Sequence, residues 1–125
     1  DESAALRGDY RPLVDTLAAF DVGALLLETC TPRAGEIEVL RGLAPSQRLG
    51  LGVVNQKSAV VESVDETARR IDAAAKVVGY DRLWLAPDCG FATFADNPVS
   101  SAAIAEAKLR VLSAARDLVR GRAKH

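Results

Sequence analysis

Glu28, Asn55, Asp88 and Cys89 are the residues of this chain whose types and placement could do chemistry, because each falls within two residues of the end of an apolar run or of the proline that ends one. "GALLLE" ends in Glu28, "LGLGVV" leads into Asn55, and "RLWLAPDCG" carries Asp88 and Cys89 just past Pro87. A carboxylate and a thiolate are both zinc ligands, and tetrahedral zinc takes four partners. Glu28 and Cys89 therefore supply half of such a set. Cys30, two residues beyond Glu28, is either a third ligand or a bystander, and His125 in the tail is a poor candidate. Asp88 offers an acid or a base. Each residue alone also has a plainer reading. A lone cysteine is commonly a small buried hydrophobe. Glu28 can cap the next helix or pair with Arg33, Asn55 can serve its turn, and Gly90 can permit a left-handed turn.

The elements that position these residues follow from hydrophobic spacing. Tyr10, Leu13, Val14 and Leu17 predict an amphipathic helix over residues 9–20. Gly23 to Glu28 reads as a buried strand and residues 35–43 as a short helix. Leu49 to Val54 reads as a second buried strand. Ser63 with Glu66 three residues on forms a capping box, opening a helix with Val64, Thr67, Ile71, Ala74, Ala75 and Val78 on one face. Asp81 to Ala86 is a third strand. After a loop, Ser100 or Ser101 caps a long helix to about Arg120, with Ile104, Leu109, Leu112, Ala115 and Val119 as its apolar positions. The tail "GRAKH" reads as frayed.

Strands that alternate with helices imply parallel pairing through crossovers, and apolar runs without alternation fit strands covered on both sides. Candidate residues at the carboxyl ends of such strands lie where parallel α/β folds place their sites. The 125 residues predict one domain. A closed (β/α)8 barrel takes about 250 residues, so three units amount to part of one. Net charge is −1 with no basic stripe, which points away from nucleic acid and from anionic membranes. No apolar run approaches the ~20 residues that span a bilayer. Two cysteines make no disulfide framework, so a reducing cytoplasm is the expected compartment.

Taken together, "LLLETCTPRAGEIEVL", "LGLGVVNQKSAVVESVDETARRI" and "DRLWLAPDCGFAT" resemble the C-terminal end of cobalamin-independent methionine synthases. They are most similar to the shorter core-type relatives, which include zinc-dependent thiol alkyltransferases such as epoxyalkane:coenzyme M transferase. The resemblance runs from about Tyr10 to Arg120. It implies a (β/α)8 barrel with zinc at its C-terminal face, here represented by its last three βα units, so that residues 1–125 form a single partial domain. It implies Glu28 and Cys89 as zinc ligands, with a His-x-Cys pair supplied by upstream units that this chain does not contain. Methionine synthases carry a proton-donating His where this sequence has Lys57, which favours the core-type relatives and makes Lys57, with Asp88, a candidate catalytic residue.

The expected function is zinc-dependent transfer of a methyl or alkyl group from a donor to a thiol, with this chain supplying part of the active site. In that chemistry the metal deprotonates and orients the thiol. Cys89 would supply thiolate, Pro87 would stop the strand and Gly90 would let the loop turn. The alternative is a non-catalytic, truncated barrel module. Three parallel strands leave two open edges, so the chain is expected to self-associate or to dock on the remaining barrel units. Leu25, Leu27, Leu51, Val53 and Leu83 are expected to line the barrel interior, with the helices at 9–20, 63–78 and 100–120 covering the opposite face.

Overall fold

The computed structural model describes residues 9–31, 37–94, 97, 98 and 100–123. Its centre is a three-stranded parallel sheet, β1 (Ala24–Leu27), β2 (Arg48–Val54) and β3 (Leu83–Pro87), in that spatial order. Ahead of β1, a 3-10 turn at Arg11–Leu13 runs into a short helix α1 (Val14–Ala18). Pro12 suits this start, since its fixed φ is that of a helical first turn. Between β1 and β2 the expected helix is a 3-10 segment, Ile37–Gly42, that buries Leu40. Residues 32–36, including Arg33, lie outside the described residues.

Helix α2 (Val64–Val78) links β2 to β3. Ser63 caps it as the spacing predicts, its hydroxyl accepting the Glu66 N–H at 3.1 Å, while the Glu66 carboxylate is held by Arg70 at 2.8 Å. Five of the six residues expected on its inner face are buried, with Val64 packed partly against the core. The helix ends at Gly79, whose φ of 92° is open to glycine at little cost. A 3-10 turn at Tyr80–Arg82 then occupies the start of the expected third strand.

Past β3 the structure departs from the expected loop. Strands β4 (Ala92–Phe94) and β5 (Asn97–Pro98) pair antiparallel. Strands this short, one of them holding a proline, leave little periodic signal. Helix α3 (Ala102–Ala123) follows, with the Ser101 hydroxyl accepting the Ile104 N–H at 3.3 Å. Gly121 to Ala123 are helical rather than frayed, and His125 lies outside the described residues.

Leu25, Leu49, Leu51 and Val53 join Ala68, Ile71 and Ala74 of α2 and Ala115 and Val119 of α3 in one buried cluster, with Leu27 and Leu83 packed against it. This corrects the expected facing. The residues assigned to a barrel interior lie on the helix-covered side. Alternation along a strand puts the neighbours of these residues on the other side. There Leu26, Gly50 and Trp84 stand in register across the three strands, with Leu26 70% and Trp84 49% exposed. The Arg48 guanidinium lies over the Trp84 ring, 5.3 Å from its centroid.

The helices thus cover one face of the sheet, and its carboxyl edge brings together the ends of β1, β2 and β3. The opposite edge is closed by Arg82, which donates to Gln47 O at 2.9 Å and Ala44 O at 2.8 Å, and by the Gln47 amide, which donates to Leu17 O and Phe20 O.

Candidate functional site

Glu28 and Cys89 leave the first and third strands, on either side of β2, and their side chains converge: Cys89 Sγ donates to Glu28 Oε1 at 2.6 Å. The parallel topology produces this meeting. Strands about 4.8 Å apart that run the same way deliver their carboxyl ends to one rim. The hydrogen bond to Glu28 raises the Cys89 thiol above its usual value, burial and the Glu28 charge add to this, and the positive charge of Lys57 pulls it back. Cys89 itself is exposed.

The Glu28 backbone is held from behind, its carbonyl accepting the Tyr10 hydroxyl at 3.0 Å. Burial, followed by the Glu28 charge, raises the Tyr10 phenol. Sequence spacing counted Tyr10 only as a face of the first helix. A phenol whose ring packs on a core needs a partner for its hydroxyl, which is the signal that was there to read.

Asp88 turns its carboxylate to the exit of β1. Its Oδ1 accepts the Thr29 N–H at 2.9 Å and the Cys30 N–H at 3.2 Å, and its own N–H donates to Val54 O at 2.9 Å. Burial raises its carboxyl, the two backbone N–H groups oppose that, and the Glu28 charge reinforces it. Thr29 completes the join, its hydroxyl donating to Gly52 O at 2.5 Å. Neither Thr29 nor Gly52 stood out in the sequence.

Cys30 is turned toward the sheet. Its Sγ donates to Gly52 O at 3.2 Å and has Arg70 Nη1 at 3.6 Å. Burial first, and the Asp88 charge second, push the thiol up to about 12, so it keeps its proton near neutral pH. Among the described residues no group of three or more His, Cys, Asp and Glu side chains gathers as metal ligands.

Asn55 builds the turn after β2. Its Oδ1 accepts the Lys57 N–H at 3.0 Å, and its own N–H donates to Glu62 Oε1 at 2.8 Å. Glu62 is in turn bound by Lys108 of α3, whose Nζ lies 2.8 Å from Glu62 Oε2 and 2.5 Å from Val60 O. Lys108 is fully buried. It was missed because a lysine reads as solvated, yet it falls seven residues before Ala115 on the face that the helix buries. Leu109, expected on that face, is 45% exposed.

Gly90 is not held by backbone strain. Among the described residues the one glycine with positive φ is Gly79, and a Cβ at Gly90 would meet only Ala92 O, at 3.7 Å. Pro87 is the last residue of β3, opposite Val54, after a register shift in β2 between Gly52 and Val54. A bulge of this kind re-aims the backbone at a sheet rim.

Residues 7–112 match the family model described as the catalytic domain of cobalamin-independent synthase. The 5-methyltetrahydropteroyltriglutamate–homocysteine methyltransferase of Nitratidesulfovibrio vulgaris (strain Miyazaki F) is 35% identical over 97 residues, which are 78% of this chain and 12% of that protein. YxjH of Bacillus subtilis, uncharacterised, is 32% identical over 119 residues, 93% of this chain and 32% of that protein. Among solved structures, a B12-independent methionine synthase from Shewanella sp. W3-18-1 in complex with selenomethionine superposes with a TM-score of 0.74 at 23% identity, covering 90% of this chain and 31% of that one. The chain thus spans between about an eighth and a third of the length of these relatives. Among the described residues no helix is long and apolar enough to cross a membrane.

Proposed function

The chain belongs to the family of cobalamin-independent synthase catalytic domains, and from that premise we propose that it supplies part of the active site for transfer of a methyl or alkyl group to a thiol, with Glu28 and Cys89 as two ligands of a zinc ion. The supporting observation is the 2.6 Å approach of Cys89 Sγ to Glu28 Oε1 from two strands that do not adjoin. A thiol and a carboxylate that share a proton are also a donor pair that a cation can take over, and both are ordinary zinc ligands. The other two ligands come, in this reading, from barrel units that precede β1, and this chain, as a single partial domain spanning 1–125, is the last three βα units of that barrel.

Zinc, when bound, lowers the pKa of a coordinated thiol and orients the thiolate. The remaining work falls to the chain's own residues. Glu28 and Cys89 present their donors to one point. The Lys57 charge acts on Cys89, and Lys57 is the group proposed to deliver a proton to the departing donor. A sulfur–carbon bond forms on the acceptor thiol while the donor's bond to that carbon breaks, and the donor leaves with the electron pair and takes up the proton. Asp88, the other residue expected to take part, contributes through position and charge. The Nitratidesulfovibrio relative is named for homocysteine and a 5-methyltetrahydropteroyltriglutamate donor. For this chain the proposal extends to that chemistry, a thiol acceptor with a methyl or alkyl donor.

The test is zinc content together with thiol-dependent transfer, measured on the chain joined to the barrel units that supply the other two ligands. Stoichiometric zinc, and transfer abolished in Cys89→Ser and Glu28→Gln, is the expected result. Transfer that survives both substitutions overturns the reading. A second reading, a non-catalytic module that docks through its sheet, is favoured by the exposed Leu26 and Trp84 side chains. It predicts association through that face with neither zinc nor transfer.

A further inference from the structure

Asp88 leaves β3, but its carboxylate is bonded to the exit of β1. Oδ1 accepts the N–H groups of Thr29 and Cys30 at 2.9 and 3.2 Å, and Oδ2 accepts the Cys30 N–H at 3.3 Å. Its backbone N–H holds Val54 O of β2, and Thr29 returns to β2 through its hydroxyl on Gly52 O. Three strand ends are thereby tied: β3 to β1 through the Asp88 side chain, and both to β2 through the Asp88 N–H and the Thr29 hydroxyl. The carboxylate passes directly over Gly52, where a Cβ would stand 1.9 Å from Asp88 Oδ1. Only a hydrogen fits beneath the carboxylate, so the tie requires glycine at this position. Each bonded residue also adjoins one member of the pair at the rim: Thr29 follows Glu28, and Cys89 follows Asp88.

We propose that Asp88, with Thr29 and Gly52, is a positioning device that sets the distance between Glu28 and Cys89, so that the two side chains reach a common proton or a common divalent cation. Its cation part rests on the function proposed above; its proton part does not. Asp88 is a positioning residue because both its oxygens face backbone donors of the β1 exit. Without the tie, the β1 exit has no bond to β3 through these groups, and the spacing of Glu28 from Cys89 is left to β2 and to their own hydrogen bond. Partners that hold a metal ligand in place commonly matter tenfold or more to affinity.

The experiment uses the 125-residue chain carrying Cys30→Ser, which leaves Cys89 as its one thiol. The rate of Cys89 alkylation by iodoacetamide at fixed pH is measured with and without Glu28→Gln. In this parent the substitution should change the rate about tenfold, the scale of a lost charge-assisted hydrogen bond. In Asp88→Ala and in Gly52→Ala that effect should collapse toward unity, with far-UV circular dichroism retained. Asp88→Asn keeps an oxygen facing the two N–H groups and should restore most of it. The same chains are titrated with cobalt(II), read by thiolate-to-metal charge-transfer absorption. Asp88→Ala should weaken binding about tenfold or more, with Asp88→Asn in between. Coupling that survives both Asp88→Ala and Gly52→Ala overturns the proposal, as does an Asp88→Asn variant no better than Asp88→Ala, or a parent indifferent to Glu28→Gln. Coupling that collapses as expected in chains that bind no cobalt upholds the positioning device through its proton part; cobalt binding in the chain joined to the barrel units that supply the other two ligands, if unchanged by Glu28→Gln and Cys89→Ser, removes the zinc reading instead. Should Gly52→Ala fail to fold, the two Asp88 variants decide.

Discussion

Cys89 Sγ stands 2.6 Å from Glu28 Oε1 across 61 residues of sequence, with the whole of β2 between the strands that carry them. The thiol donates in this contact, and the same two groups are those proposed above as zinc ligands.

Metal retention should therefore depend on Cys89 above any other residue of the chain. After zinc loading and dialysis, Cys89→Ser should retain far less metal than the parent, because a hydroxyl is a much poorer ligand than a thiolate. Cys30→Ser should retain nearly the parental amount, since that thiol is bonded to Gly52 O and stays protonated. Equal metal in the parent and Cys89→Ser, measured by atomic absorption, would sink the assignment.

The buried Lys108–Glu62 pair should carry much of the stability at the β2 rim. Lys108→Met leaves the Glu62 carboxylate, 10% exposed, without its cation. Removing one partner of a buried pair costs about 3 kcal/mol or more. Urea denaturation would show this as a lower midpoint, and a midpoint equal to the parent's would mean that the Asn55 N–H on Glu62 holds the turn unaided.

The same pair sets an acid dependence. Burial by itself would raise the Glu62 carboxyl, but the hydrogen bonds from Lys108 and from the Asn55 N–H outweigh it, and the folded-state value is lowered. A lowered folded value means that the unfolded chain binds the proton more readily. The stabilisation is therefore complete above the unfolded value of about 4.3 and is lost as pH falls through the folded one. Melting temperatures from pH 6 down to pH 3 should fall more steeply for the parent than for Glu62→Gln; parallel curves would contradict the linkage.

The face that carries Leu26 and Trp84 should drive association. Exposed side chains of this size forgo roughly 1.5 to 3 kcal/mol each relative to burial, and among the described residues the outer edges of β1 and β3 carry no strand partner. Light scattering after size exclusion at low micromolar concentration should find more than one copy. Leu26→Glu with Trp84→Glu should shift it toward a single copy while secondary structure is kept. A parent that runs as a cooperatively unfolding monomer of 13.2 kDa would refute the docking face.

Much of the fold was legible because its signals are local. Apolar runs marked the three strands, Ser63 with Glu66 marked the start of α2, and the 3.6-residue spacing named most of its buried face. The rim residues were legible too, because in a parallel sheet the last residue of each strand falls on one side whatever the packing. Three things were not local, and only the tertiary structure decided them. Which side of each strand meets the helices depends on a one-residue parity that a uniformly apolar run does not encode, and Leu25, Leu51 and Val53 took the side opposite to the one expected. The burial of Lys108 depends on Glu62 and Val60 O, 46 and 48 residues away, since an ammonium group enters a core only where partners meet it. The tie from Asp88 to Thr29 over Gly52 depends on three strand ends that become neighbours only when the sheet forms, which is why a carboxylate that reads as an acid or a base in the sequence became, in the folded chain, the link between two others.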